Sequence, residues 1–337
     1  MSKIAPVQTV SVLGAGAWGT ALSSLLADNG YDVVLWCYEP EVVKEIESKR
    51  TNHFLPNIKL SEKIRPTSDI RVALESSEYV FEAIPVKYIR SILDLTRPYV
   101  SKNHKFIVTS KGIEQETNML PSQIVCDVFG PNSQVISIGG PNFAKDLAAK
   151  KLTACVVASK DVELSNQVSK ILKNTYFKPY ISSDVDGVQV GGALKNVFAL
   201  AIGIAHSLEY GENTIAFLMT RCLVEMVHWT KYFGGKPETV YGLSGFGDLF
   251  LTCSSTVSKN FKFGRMLGQG KSLNELSKEF VVVPEGINTL QTIKKIIDAK
   301  QLNLPVCLGT YDVVFEGKAF KLLLDRIVQQ PLNGELD

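Results

Sequence analysis

Lys195 is the only Lys, Arg, Asp or Glu in the run from Gly187 to Leu208. Val188, Leu194, Val197, Phe198, Ala201, Ile202 and Ala205 recur around it at helical spacing, so the run predicts a buried helix. A lysine among such neighbours either snorkels to water or is held for a purpose. Burial lowers a lysine's pKa, and a lysine tuned toward neutrality is a good general acid or base. On the run alone the better account is a structural lysine, paired with a carboxylate or a helix end. Other residues reverse that balance. Lys111, in Ser110-Lys111-Gly112-Ile113-Glu114, follows a strand-like segment and could touch cofactor or substrate; a turn lysine in water is the equal alternative. Asp248 closes the glycine-rich stretch Tyr241–Asp248, which predicts a flexible loop. There it would either cap the next helix or work with a lysine. The stretch is not a nucleophile elbow, because G-x-S-x-G needs glycine where Phe246 stands.

Three further stretches suit anions or dipoles. Gly14-x-Gly16-x-x-Gly19 has a strand-like segment before it, a helix-like one after it, and Glu39 at the end of the next strand. That context is the dinucleotide-binding fingerprint: a tight turn, close backbone approach to a pyrophosphate, close helix–strand packing, and an acidic residue for a ribose diol. A surface charge is the alternative for Glu39. Gly139-Gly140-Pro141-Asn142-Phe143-Ala144 also follows a strand and brings backbone amides and the Asn142 amide to the same edge; a plain turn explains it equally well. Ser258-Lys259-Asn260 opens a helix whose free amides suit a phosphate, with a simple helix cap as the equal alternative.

The elements that must carry these residues alternate in the first half. Val7–Leu13, Asp32–Tyr38, Tyr79–Ile84, Phe106–Thr109, Val135–Ile138, Cys155–Ala158 and Phe177–Ile181 predict strands. Thr20–Asn29, Val86–Leu95 and Asn118–Phe129 predict helices between them. Such alternation argues for a parallel, doubly wound α/β sheet. After about Ser183 helices dominate, among them Lys259–Gly268 and Glu285–Lys300. The expected fold is an N-terminal Rossmann-type domain over residues 1–183 and an all-α domain over residues 184–337.

Bulk properties narrow the function classes. The 337 residues suit two domains, with 45% hydrophobic and 21% charged residues. A net charge of +2 gives no footprint for nucleic acid. Met1–Pro6 has no signal-peptide core, and Gln189, Lys195 and Asn196 interrupt the longest apolar run, so no stable membrane insertion is expected. Six cysteines form no C-x-x-C pair and four histidines form no ligand pattern, so no metal site is expected. A cytoplasmic protein is the expectation.

Together the stretches Gly14–Thr20, Ser110–Glu114, Gly140–Ala144, Gly191–Asn196, Thr220-Arg221, Gly245–Thr252, Ser258–Asn260 and Glu285-Gly286 resemble the NAD(P)-dependent sn-glycerol-3-phosphate dehydrogenases. The resemblance implies interconversion of dihydroxyacetone phosphate and sn-glycerol 3-phosphate by hydride transfer, supplying the phospholipid backbone. It implies Lys195 as proton donor and acceptor, Lys111 as a contact to substrate and nicotinamide, and Asp248 and Thr252 around the reacting hydroxyl. Gly14, Gly16, Ala17, Trp18, Gly19, Tyr38, Glu39, Lys111, Ala144, Lys259 and Glu285 would bind cofactor. Lys111, Gly140, Asn142, Lys195, Asp248, Ser258, Lys259 and Asn260 would bind the small phosphorylated substrate. A homodimer is the family expectation. Lys259 departs from the bacterial pattern S-R-N-R-R-F-G, and lysine lacks arginine's planar two-bond grip. Trp36-Cys37-Tyr38-Glu39 is similar to the aromatic-acidic ending of NAD-preferring members, with NADP the second option. Rival readings are a β-hydroxyacid or ketopantoate-type dehydrogenase, which needs no phosphate site, and a non-catalytic NAD-binding sensor.

Overall fold

The computed structural model describes residues 8–280, 283–331 and 334. Val7, the expected start of the first strand, and the Met1–Pro6 stretch lie outside the described residues. The chain divides into two compact units, Met1–Lys111 with Pro121–Val185, and Gly112–Leu120 with Asp186–Asp337.

The first unit is built on an eight-stranded sheet. Its strands are β1 (Thr9–Leu13), β2 (Asp32–Trp36), β3 (Ile64–Thr67), β4 (Tyr79–Glu82), β5 (Lys105–Val108), β6 (Gln134–Gly139), β7 (Thr153–Ala158) and β8 (Phe177–Ser182). They lie in the order β3-β2-β1-β4-β5-β6-β7-β8. Every pairing is parallel except β6–β7, which is antiparallel. The sheet is the parallel, doubly wound one expected, with one antiparallel link that periodicity carries no information on. Central strands such as β1 and β4 are buried along nearly their whole length, as strands covered on both faces must be. The chain leaves β1 for β2 on one side and reaches β4 on the other. That is a topological switch point, where ligands of open α/β sheets bind beyond the strands' carboxyl ends.

The second unit is helical among its described residues. Val185–Ser207 runs through its core, and the apolar neighbours of Lys195 are fully or almost fully buried. Trp229, Leu290, Ile293 and Val306 complete that core from three other helices. Val185–Ser207 is the one helix among the described residues long and apolar enough to cross a membrane, and its apolar window is wholly buried inside the fold. A helix apolar all round is a core helix when other helices surround it. Ile113 and Leu120 anchor the Gly112–Leu120 segment in this same core, although it lies between two parts of the first unit in sequence.

One expected loop is helical. Pro237–Tyr241 is a short 3-10 helix, Leu243–Gly247 a single π turn, and Asp248–Cys253 a helix that continues it. The glycines serve contact rather than flexibility. A Cβ on Gly245 would lie 2.1 Å from the Val240 carbonyl oxygen, and one on Gly191 would lie 2.1 Å from the Ser244 carbonyl oxygen. The π turn therefore packs its backbone directly against the helix that carries Lys195.

Candidate active site

In the first unit the glycine-rich turn joins β1 to the helix Ala17–Asp28. Gly14 has φ +109°, which an L side chain rarely adopts, and its Cβ would strike the Ala83 carbonyl oxygen at 2.6 Å. A Cβ on Gly19 would lie 1.9 Å from the Gly14 carbonyl oxygen. Gly16 is different: a Cβ there would meet nothing within 4 Å. Protein packing explains the first and last glycine but not the middle one, whereas a pyrophosphate lying over an exposed turn would. Gly16 is the N-cap of the helix and gives it no side-chain cap, so the first amides, starting at Ala17, are available to an anion.

Trp18 donates from Nε1 to Thr109 Oγ1 at 2.9 Å, linking the glycine turn to the end of β5. Two residues on, Lys111 Nζ donates to the Gly140 carbonyl at 3.0 Å, linking β5 to the loop after β6. Gly140 has φ +130°. Asn142 follows with both side-chain amide atoms buried and without a hydrogen-bond partner among the described residues. Orphaned amide atoms beside a sheet's ligand edge are what a carboxamide or hydroxyl of a bound dinucleotide would satisfy, so these residues fit such a group. Ala144 opens the short helix Ala144–Ala148. Tyr38 is 72% exposed, and Glu39 is exposed at the head of the helix Pro40–Lys49, with no cap bond from its carboxylate.

In the second unit Lys195 Nζ and Asp248 Oδ1 form an ion pair at 2.5 Å. The side chains are 8% and 0% exposed. Both elements are fixed by packing: Lys195 by its core helix, Asp248 by the π turn that abuts that helix. Thr252 is buried one turn after Asp248, and its hydroxyl donates to the Asp248 carbonyl at 2.6 Å. Asn260 Nδ2 donates to Asn196 Oδ1 at 2.9 Å, and Asn260 Oδ1 accepts from the Gly286 amide at 3.0 Å. That amide group therefore ties three helices together. Ser258 accepts from the Phe261 amide and caps the helix Lys259–Gly268, while Lys259 is exposed. Glu285 begins the helix Glu285–Lys300, half-buried.

Sequence reasoning gave no role to Asn196, although it adjoins Lys195 and holds Asn260. It also passed over Glu82, whose carboxyl is completely buried at the end of β4. The signal for Glu82 was of the same kind as for Lys195: a lone charge in an apolar segment. Among the described residues no group of three His, Cys, Asp or Glu side chains is placed to hold a metal.

Comparison with known proteins places the chain in a family. Residues 9–165 match the family model described as NAD-dependent glycerol-3-phosphate dehydrogenase N-terminus, and residues 184–325 match the C-terminus model of the same family. A glycerol-3-phosphate dehydrogenase [NAD(P)+] from Pseudomonas syringae pv. tomato is 39% identical over 333 residues, covering 98% of this chain and 96% of the relative. The crystal structure of glycerol-3-phosphate dehydrogenase from Coxiella burnetii superposes with a TM-score of 0.90 at 30% identity, over 96% of this chain and 99% of that one. A ketopantoate reductase from Ralstonia eutropha, at 14% identity and a TM-score of 0.59 over 95% of this chain and 100% of that one, shares the fold alone. The chain belongs to the NAD-dependent glycerol-3-phosphate dehydrogenase family.

Proposed function

We propose that this protein interconverts dihydroxyacetone phosphate and sn-glycerol 3-phosphate with a nicotinamide cofactor, and thereby supplies glycerol 3-phosphate for phospholipid synthesis. The observation that carries the reading to particular residues is the buried Lys195–Asp248 pair, set in a chain that matches both family models.

The bound dinucleotide supplies or takes the hydride. The chain's own residues do the rest. The Gly14–Gly19 turn and the amides opening at Ala17 hold the pyrophosphate, Glu39 takes the ribose diol, and Tyr38 lies beside it. Lys111, Ala144, Lys259 and Glu285 complete the cofactor contacts, and Gly140 and Asn142 stand with the substrate. As the ketone is reduced, its oxygen becomes an alkoxide. Lys195 gives that oxygen a proton and takes one back in the reverse direction. Asp248 helps to direct the ammonium, because its buried carboxylate accepts a short, charge-assisted hydrogen bond from Nζ. Lys111 offers a second positive charge to the developing oxyanion, and Gly140 holds Lys111 by its carbonyl. Thr252 sits beside Asp248 to contact the reacting hydroxyl. Ser258, Lys259 and Asn260 take the phosphate at a helix opening.

Glu39 argues for NADH over NADPH, since a carboxylate repels an added 2′-phosphate. The reading includes a homodimer in the cytoplasm, the state to be checked by light scattering of the purified protein. The decisive experiment is steady-state oxidation of NADH and NADPH with dihydroxyacetone phosphate and with unphosphorylated dihydroxyacetone. Turnover should be fast only with the phosphorylated ketone. Equal use of both ketones would point to a dehydrogenase without a phosphate site, and NADH binding without turnover would point to a sensor.

A further inference from the structure

Strand β4 reads Tyr79-Val80-Phe81-Glu82, and all four residues are buried. Glu82 is 0% exposed. Its Oε1 accepts from the Ile84 amide at 2.6 Å and lies 2.7 Å from Ser110 Oγ, whose single proton is shared with the Ile84 carbonyl oxygen at 2.5 Å. Its Oε2 has no hydrogen-bond partner among the described residues. Burial pushes the carboxyl up to about 7, against the hydrogen bonds that favour its charge. A valine or isoleucine would fill a central parallel strand without that desolvation cost. The carboxyl therefore needs a reason.

The reason lies in what Oε1 joins. Ile84 belongs to the turn after β4, and the preceding Ala83 carbonyl packs against Gly14 of the dinucleotide turn. Ser110 lies two residues past the end of β5 and is followed directly by Lys111. The Glu82 carbonyl also accepts from the Thr109 amide at 3.0 Å and from the Thr109 hydroxyl at 2.6 Å, and Trp18 donates to that same hydroxyl. Thus β1, β4, β5 and β6, adjacent in the sheet, are stitched at their carboxyl ends by Trp18–Thr109, Ser110–Glu82 and Lys111–Gly140. Glu82 is the buried ionisable group of the series, at 0% exposure beside Thr109 at 3%.

We propose that Glu82 is a positioning residue of the reaction, whose Oε1 holds Ser110 and the Ile84 turn and so sets where Lys111 stands. The proposal rests on the dinucleotide reading of the first unit and on the role given to Lys111. Glu82 touches neither substrate nor cofactor and acts through its neighbours.

The test compares Glu82→Val, Glu82→Gln, Ser110→Ala, Lys111→Ala and the double variant Glu82→Val/Lys111→Ala. Steady-state kinetics with dihydroxyacetone phosphate, NADH affinity by titration calorimetry and thermal midpoints are the readouts. Glu82→Val removes the acceptor and should lower kcat/KM about tenfold, the size of one well-placed hydrogen bond. Glu82→Gln keeps an acceptor oxygen and should restore most of that loss. In the double variant the two losses should not multiply, because both act at Lys111. Losses that multiply, a Glu82→Val enzyme with wild-type kcat/KM, or a Glu82→Gln enzyme as impaired as Glu82→Val, would overturn the proposal. Where Glu82→Val fails to fold, Ser110→Ala takes its place: its loss must be real and must not multiply with that of Lys111→Ala. Wild-type protein that binds no NADH in the calorimeter would sink the dinucleotide reading and this proposal together. Binding by wild type, with the kinetic outcomes reversed, sinks this proposal alone.

Discussion

The two units hold their functional groups in different ways. In the first, the ligand edge is mostly backbone and half-exposed side chains: an open turn at Gly16, helix amides, the Gly140 carbonyl, and lysine and tryptophan reaching across strand ends. In the second, the groups are side chains sunk in a core, Lys195 against Asp248 and Asn260 between Asn196 and Gly286. On the proposed function, the difference follows from what each must recognise. A pyrophosphate is a large, diffuse anion that many amides can share, and the sheet edge supplies amides wherever a strand ends. A proton must go to one oxygen, so its donor needs a fixed direction. Only packing from all sides gives that to a flexible lysine, and only a paired charge makes its burial tolerable.

Breaking the buried pair should therefore have the largest effect. Lys195→Ala should lower kcat by roughly 10²–10⁴-fold, the usual loss for a general acid. NADH affinity measured by calorimetry should be retained, because the glycine turn belongs to the other unit. A variant with most of its kcat would remove Lys195 from the chemistry. Asp248→Asn should also lower kcat, and the thermal midpoint should fall, since the lysine stays buried without its counter-charge.

The glycine turn offers a sharper comparison at smaller cost. Gly16→Ala places a methyl group where no protein atom lies within 4 Å, while Gly19→Ala drives one into the Gly14 carbonyl. The first should leave the melting temperature unchanged and weaken NADH binding by about tenfold or more, if the open space belongs to the cofactor. The second should unfold the protein more readily. A Gly16→Ala enzyme with wild-type NADH affinity would mean that the pyrophosphate lies elsewhere.

These contrasts also explain what was legible in the sequence. The glycine fingerprint could be read because its constraint is local, a turn of fixed length between a strand and a helix. Lys195 could be read because one charge in a long apolar run is anomalous at any window size. The region around Asp248 was misread for a physical reason. Its glycines suggest a flexible loop, yet Gly245 closes on the Val240 backbone and Gly191 lets the core helix touch the Ser244 backbone, a contact between residues 53 apart in sequence. Neither the antiparallel entry of β7 nor the passage of Gly112–Leu120 into the helical core leaves a local mark, since both depend on which distant surface a segment meets. Glu82 escapes notice because its expected strand, Tyr79–Ile84, is short, and one charge in so few residues does not stand out as it does in the long run around Lys195.

Asn260 lies between the two extremes. Its amide satisfies the buried Gly286 N–H and the Asn196 side chain, and it also opens the helix proposed to take the phosphate. Asn260→Ala should destabilise the fold by about 1–3 kcal/mol, the cost of leaving a buried donor unpaired. It should also narrow the kcat/KM advantage of dihydroxyacetone phosphate over dihydroxyacetone. An unchanged ratio in a folded variant would confine Asn260 to joining helices. Lys259→Arg should be tolerated at this exposed position, where only a second bond to phosphate is to be gained.

The smallest expected effect tests burial without catalysis. Glu225, 3% exposed, caps the helix Pro305–Glu316: Oε1 accepts from the Val306 amide at 2.5 Å and Oε2 from the Cys307 amide at 2.9 Å. A helix N-terminus favours the charged carboxylate, and Arg221 does too, yet burial outweighs both and pushes the group up to about 7. Below the unfolded value, near 4.5, both states hold the proton. As pH rises from there toward 7 the unfolded chain releases it first, so stability is lost across that window and the loss is complete above it. Moving from pH 8 to 5.5 should thus return up to about 2 kcal/mol through this group. Glu225→Gln, which does not titrate, should lack that gain. Glu82 titrates in the same sense, but it is present in both proteins and cancels from the difference. The measurement is the thermal midpoint of wild type and Glu225→Gln at both pH values. Wild type should gain a few degrees more on acidification than the variant, and equal shifts would mean that the helix amides, rather than burial, govern this carboxyl.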